Sequence, residues 1–313
     1  MNKHYAGMKK AILLSYAPIA ILASCGSAEE DNPSPAPPTP SASRKTEISI
    51  VTTLPEGLAP LPFGEEPGKR FGQGDQAGLY IVSRADGKIV LATTGNYIDN
   101  RLYTYDNGWT TTPKVYWKDS VTHADFYLYT PFTPNIASVK AMPFSVSTNQ
   151  STETGRKSSD LMIGTALDVS PTGASVTIAL RHVMSLLRIK LEAGKGIYEE
   201  HLANAIISIN GTKNNATVDI ATASVTPTGQ PATITPMKTA NGYDAFIIPQ
   251  DIGESDIITV TIDGETHTLR KALSLLPGNE YTCTVTISKT NTGFSASITE
   301  WDNDGTDYGG TAQ

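Results

Sequence analysis

The chain has 313 residues, 39% of them hydrophobic and 18% charged, with a formal net charge of -7. That length admits two domains of ordinary size and a packed core, while the acidic balance excludes the clustered Lys/Arg surface that a nucleic-acid partner requires. Ser, Thr, Gly and Pro are frequent and long Leu/Ala/Glu/Lys runs are missing, so the composition favours short strands and turns over helices.

Residues 1–24 read as a targeting segment outside the fold. Lys9 and Lys10 form a basic start, and "AILLSYAPIAILAS" is an apolar stretch too short to span a bilayer comfortably. It ends in Leu22-Ala23-Ser24-Cys25, which resembles the bacterial lipoprotein signal. That resemblance implies acylation of the Cys25 thiol, which then becomes the mature N-terminus. With Cys25 lipidated, Cys283 has no intrachain partner; in "YTCTVTI" it alternates in phase with Tyr281, Val285 and Ile287 and reads as a small buried apolar residue. "GSAEEDN" after Cys25 looks like the acidic export tag of surface lipoproteins, and "NPSPAPPTPSA" is expected to be an extended tether, so residues 25–45 form a linker.

From Thr46 onward the pattern is strand after strand. "TEISIVTTL" is followed by the Pro/Gly-rich "PEGLAPLPFGEEPGKR" and then by "AGLYIVS", "KIVLATT", "RLYTYD", "KVYWKD" and "DFYLYTPF". "SVTIALRH" and "SLLRIKLEA" close a first block at residues 46–195, with "GKGIYEEHLA" as the junction. A second block, residues 196–313, runs from "NAIISIN" to "FSASITEW", with "IDGE" reading as a tight hairpin turn. Strands at this spacing predict an all-β chain of two antiparallel β-sandwich domains in tandem.

Chemistry finds few footholds. Gly72, Gly74 and Gly78 stand one residue wider than a dinucleotide fingerprint and precede a strand, whereas a phosphate loop follows a strand and opens a helix, so they read as a connection. There is no Gly-x-Ser-x-Gly elbow, and the five histidines are scattered away from metal-ligand spacing. His182 continues the apolar face of Val176, Ile178 and Leu180 and reads as a hydrogen-bonded core histidine. Asp302, Asp304 and Asp307 are faintly like half a calcium loop, lack the later bidentate Glu, and read as an exposed acidic tail. No enzyme, cofactor or metal is therefore expected. Aromatics crowd residues 103–132; Phe126, Leu128 and Phe132 share a core face, while Tyr127 and Tyr129 on the other face are candidate carbohydrate-facing residues.

Several segments together resemble the fimbrillin family of Bacteroidetes, including its Mfa-like lipoproteins: "RFGQGDQAGLYIV", "ADFYLYTPF", "FSVSTNQSTETGRKSSDLMIGTA", "VTIALRHVMSLLRIKL", "DAFIIPQD", "LLPGNEYTCTVTI" and "ITEWDN". The resemblance implies transthyretin-like sandwiches and a role in type V pili at the cell surface, after export as an outer-membrane lipoprotein. It also implies a trypsin-like maturation protease that cuts after Arg70, making Phe71 the new N-terminus and freeing the strand at residues 46–54. The vacated groove would accept a strand from another pilin subunit. Ile48, Ile50 and Val51 are the expected apolar pegs of the strand to be lost. The physics is compatible: the bond lies in a Gly- and charge-rich loop, and an emptied strand position invites another strand. The residues after Trp301 lack an alternating apolar run, so a tip, accessory or uncleaved anchor role stands beside the stalk. An adhesive role toward host or bacterial surface glycans or proteins goes with the pilus reading, and a monomeric glycan-binding surface lipoprotein is the alternative.

Overall fold

A computed structural model describes residues 45–54, 71–87, 89–240, 242–291 and 293–307. In chain order the first elements are β1 (Ile50–Thr53), β2 (Gln76–Ser83), β3 (Ile98–Tyr105), β4 (Trp109–Thr110), β5 (Ala124–Thr130) and β6 (Met142–Ser145). The short helix α1 (Glu153–Ser159) leads into β7 (Met162–Val169), β8 (Val176–His182) and β9 (Ser185–Ala193). After α2 (Glu199–Leu202) come β10 (Ile206–Val218), β11 (Val225–Ile234), β12 (Met237–Thr239) and β13 (Gly242–Ile247). The last four strands are β14 (Asp251–Ile262), β15 (Glu265–Ser274), β16 (Asn279–Thr290) and β17 (Gly293–Asp307). The expected all-β class holds.

Three sheets result. The first has the order β1-β8-β7-β5-β2-β3-β4; the second runs β11-β10-β14-β15, with β6 also on β10; the third runs β12-β13-β9-β16-β17. Most pairs are antiparallel, as expected, but β1 lies parallel to β8 and β16 parallel to β9. The sequence pattern places β9 in the block ending at residue 195, yet it pairs with β13 and β16 of the third sheet. Only Val183 and Met184 separate it from β8, so closeness in sequence does not make the two strands partners. Likewise β6 pairs with β10 of the second sheet.

Strand chemistry explains the layering. β8 alternates apolar and polar residues and buries Val176, Ile178 and Leu180. β5, "ADFYLYT", is buried at every position, which marks a central strand covered on both faces. One face contributes Phe126 and Leu128 to a core with Ile48, Ile50, Leu79, Trp109, Trp117, Ile178 and Leu180. The opposite face contributes Tyr127 and Tyr129 to a larger core that continues into the second and third sheets through Ile207, Val260, Leu187, Ile189 and Val285.

Candidate strand-release groove

Residues 46–53 occupy a slot between two parts of the first block. On one side Trp117 N–H donates to Thr46 O and Ile48 N–H to Val115 O, each at 2.9 Å, and Glu47 bridges to Tyr116. On the other side Val176 N–H donates to Ser49 O at 2.8 Å, and the ladder then runs from Ile50 opposite Val176 to Thr53 opposite Ala179. The segment thus crosses from the 115–117 stretch to the edge of β8. An edge position suits a strand that can leave, because a central strand would break two ladders at every residue.

The side chains divide by the period of two. Ile48 and Ile50 are 4% and 5% exposed and enter the core that also holds Trp109 and Trp117. Val51 is 47% exposed, which corrects its assignment as a peg: it follows Ile50 directly and therefore faces solvent. The next inward position is Thr52, whose Oγ1 accepts a hydrogen bond from Trp109 Nε1 at 3.0 Å. Lys114 Nζ lies 2.7 Å from Glu47 Oε2, but both side chains are well exposed, so this pair adds little.

Cys25 and Arg70 lie outside the described residues. Phe71 is half-buried at the far end of the groove, its ring 4.9 Å from Trp109 and 5.6 Å from Tyr105, with those two rings 5.3 Å apart. Directly after it the chain locks into a turn. Gly72 N–H donates to Asp75 Oδ2 at 2.8 Å, Gly74 N–H to Tyr105 O at 2.9 Å, and Tyr105 N–H to Asp75 O at 2.8 Å. Gly74 has φ +91°, the left-handed region that glycine enters freely. Gly78 serves another purpose: it lies within β2, where a Cβ would come 2.3 Å from the Tyr129 ring. Gly72, Gly74 and Gly78 therefore split between a turn and a packing contact.

Tyr127 and Tyr129 are interior residues, 6% and 0% exposed, which corrects their assignment as carbohydrate-facing aromatics. The face they occupy is covered by the larger core rather than by water. The Tyr129 hydroxyl is 2.7 Å from Asn100 Oδ1 and accepts from Thr133 N–H at 3.3 Å, and burial raises its pKa. His182 is hydrogen-bonded as expected, with Nδ1 2.5 Å from Asp160 Oδ1 and its ring stacked on Phe246, but it is only half-buried at the end of β8. Cys283 is fully buried, and burial pushes its thiol up to about 12. The backbone of residues 301–307 is not a loop but the end of β17, with Trp301 opposite Cys283 and Asp307 opposite Asn279. Among the described residues no three His, Cys, Asp or Glu side chains are grouped to hold a metal ion.

Trp109, Trp117 and Tyr103 belong to the aromatic-rich stretch, but the sequence does not single them out as groove residues. Each lies among many aromatics, and nothing local distinguishes a ring at the groove from one elsewhere in the core. Burial pushes the Tyr103 hydroxyl up to about 12, with the charge of Arg101 opposing the shift and that of Glu47 adding to it.

A family model described as fimbrillin-like matches residues 67–301. A candidate fimbrium subunit of Bacteroides uniformis, Fim1C, is 24% identical over 253 residues, covering 74% of this chain and 79% of the relative. Among solved structures, a candidate cell adhesion protein of Bacteroides uniformis superposes with a TM-score of 0.62 at 20% identity, over 84% of this chain and 99% of that one. A second, from Bacteroides ovatus, gives 0.62 at 17% identity, over 83% and 98%. These two structures share the fold.

Proposed function

From the premise that this chain belongs to the fimbrillin-like family, whose members build cell-surface fimbriae, we propose that it joins its neighbours by giving up the strand at residues 46–54 after a cut between Arg70 and Phe71. The observation that carries this reading is the lodging of residues 46–53: an edge strand with two buried pegs, Ile48 and Ile50, beside a separately anchored Phe71. After the cut, the turn at residues 72–75 and the contacts of Phe71 with Tyr105 and Trp109 keep the new end in place. Loss of the strand uncovers the β8 edge, the carbonyl of Val115 and the apolar side chains that Ile48 and Ile50 covered. Another chain's strand satisfies both the backbone and the apolar surface, which is β-augmentation used as a polymer joint. Cleavage makes the step directional.

In the same reading the chain travels to the outer membrane as a lipoprotein acylated on Cys25, and a trypsin-like protease acts on Arg70. Its partners are other pilin subunits, and its place is the fimbrium. The glycan-binding alternative loses its aromatic platform with the burial of Tyr127 and Tyr129.

N-terminal sequencing and intact mass of the protein from its native surface test the proposal. A chain beginning at Phe71 and running as heat-labile ladders is the expected result, and Arg70→Ala is expected to abolish both. Ladders that persist in that variant place the cut at another bond. A chain that keeps an acylated Cys25 and never forms oligomers overturns the proposal.

A further inference from the structure

The resident strand leaves the donors beneath it unequally served. Trp109, 7% exposed, has its acceptor in Thr52. Trp117 Nε1 and the Tyr103 hydroxyl belong to side chains 3% and 2% exposed, and neither has a hydrogen-bond partner among the described residues. All three rings share the core that Ile48 and Ile50 enter. The Trp117 backbone is bonded to Thr46. Buried donors in native proteins are almost always paired, and leaving one unpaired weakens the state that holds it.

We propose that the groove selects its occupant by side-chain polarity. The fitting occupant is an extended segment of another polypeptide chain, with two apolar side chains at the places of Ile48 and Ile50 and a hydrogen-bond acceptor at the place of Thr52. Trp109 is the residue that reads the acceptor. This inference rests on the strand-exchange reading above. A wholly apolar occupant takes the acceptor from Trp109 and leaves three donors buried and unpaired.

The experiment uses the full chain, cut in vitro after Arg70 by a trypsin-like protease. The resident segment is displaced in dilute guanidinium in the presence of fluorescent peptide. Two probes are compared: "TEISIVTTL" and its Thr52→Val form, which keeps the shape and removes the acceptor. The threonine peptide is expected to enter the groove and the valine peptide to bind about tenfold more weakly. Trp109→Phe is expected to erase the difference, although the peptide pair on the unsubstituted groove decides the matter even if that variant misfolds. Equal binding of both peptides overturns the acceptor rule and leaves strand exchange standing. Binding of neither overturns strand exchange and the acceptor rule with it.

Discussion

Ile50 and Val51 are sequence neighbours with opposite surroundings, 5% and 47% exposed. Truncating a buried isoleucine removes its transfer free energy and leaves a cavity, so Ile50→Ala is expected to cost about 2–5 kcal/mol. Val51→Ala removes an exposed methyl pair and is expected to stay within about 0.5 kcal/mol. Urea midpoints at unchanged slope measure both, and equal costs would show that the strand sits in another register. Cys283 offers a pH handle. Its folded thiol is raised by burial from 9.0 to about 12, so its contribution to stability is fully present below pH 9. It declines as pH rises from there toward about 12, because the unfolded thiol ionises first. The thiol is accordingly expected to resist a disulfide reagent at pH 8 in the native protein and to react on unfolding.

At the scale of elements, the segment around α1 ties the first sheet to the third. Thr152 caps the helix by accepting from Gly155 N–H at 3.1 Å. The Gln150 side chain accepts from Phe246 N–H and donates to Phe246 O, each at 2.8 Å, so it stands in for a strand partner on β13. Arg156, 2% exposed, lies over the Phe246 ring and 3.6 Å from Asp244, which is 5% exposed; Arg188 completes the cluster 2.6 Å from the buried Glu280. Removing Arg156 leaves the buried Asp244 carboxylate with Arg188 alone, 3.8 Å away. Arg156→Ala is therefore expected to lower unfolding free energy by about 3–5 kcal/mol. Arg270→Ala, which breaks an exposed pair with Asp256, is expected to cost at most about 1 kcal/mol. Denaturant melts of the two variants check the ranking, and similar losses would remove the distinction between them.

For the whole molecule, the larger core decides how the sheets behave together. Tyr80, Tyr127 and Tyr129 from the first sheet share it with Ile207 and Val260 from the second and Leu187 and Val285 from the third. A core common to all three sheets predicts one calorimetric transition, with calorimetric and van't Hoff enthalpies equal, rather than two separate domain melts. Two resolved transitions would show that the blocks unfold independently. The tandem reading from sequence points the other way, because alternating patterns reveal strands without revealing which cores they share.

Much of the local plan was legible in the residues. The alternation of Val176, Ile178 and Leu180 announced β8 and its buried face, and the phase of Cys283 announced its burial, because a strand's period of two is a property of neighbours in sequence. The motifs from "RFGQGDQAGLYIV" to "ITEWDN" were enough to indicate the fimbrillin resemblance. Other features depended on contacts between distant segments: β9 pairing with β13 and β16 rather than with β8, Tyr127 and Tyr129 turned into a second core, and Val51 turned outward while Thr52 meets Trp109. Whether a strand's second face meets water or another layer is decided by what packs on it. Only the tertiary structure makes that choice, and with it decides which side chains line the groove.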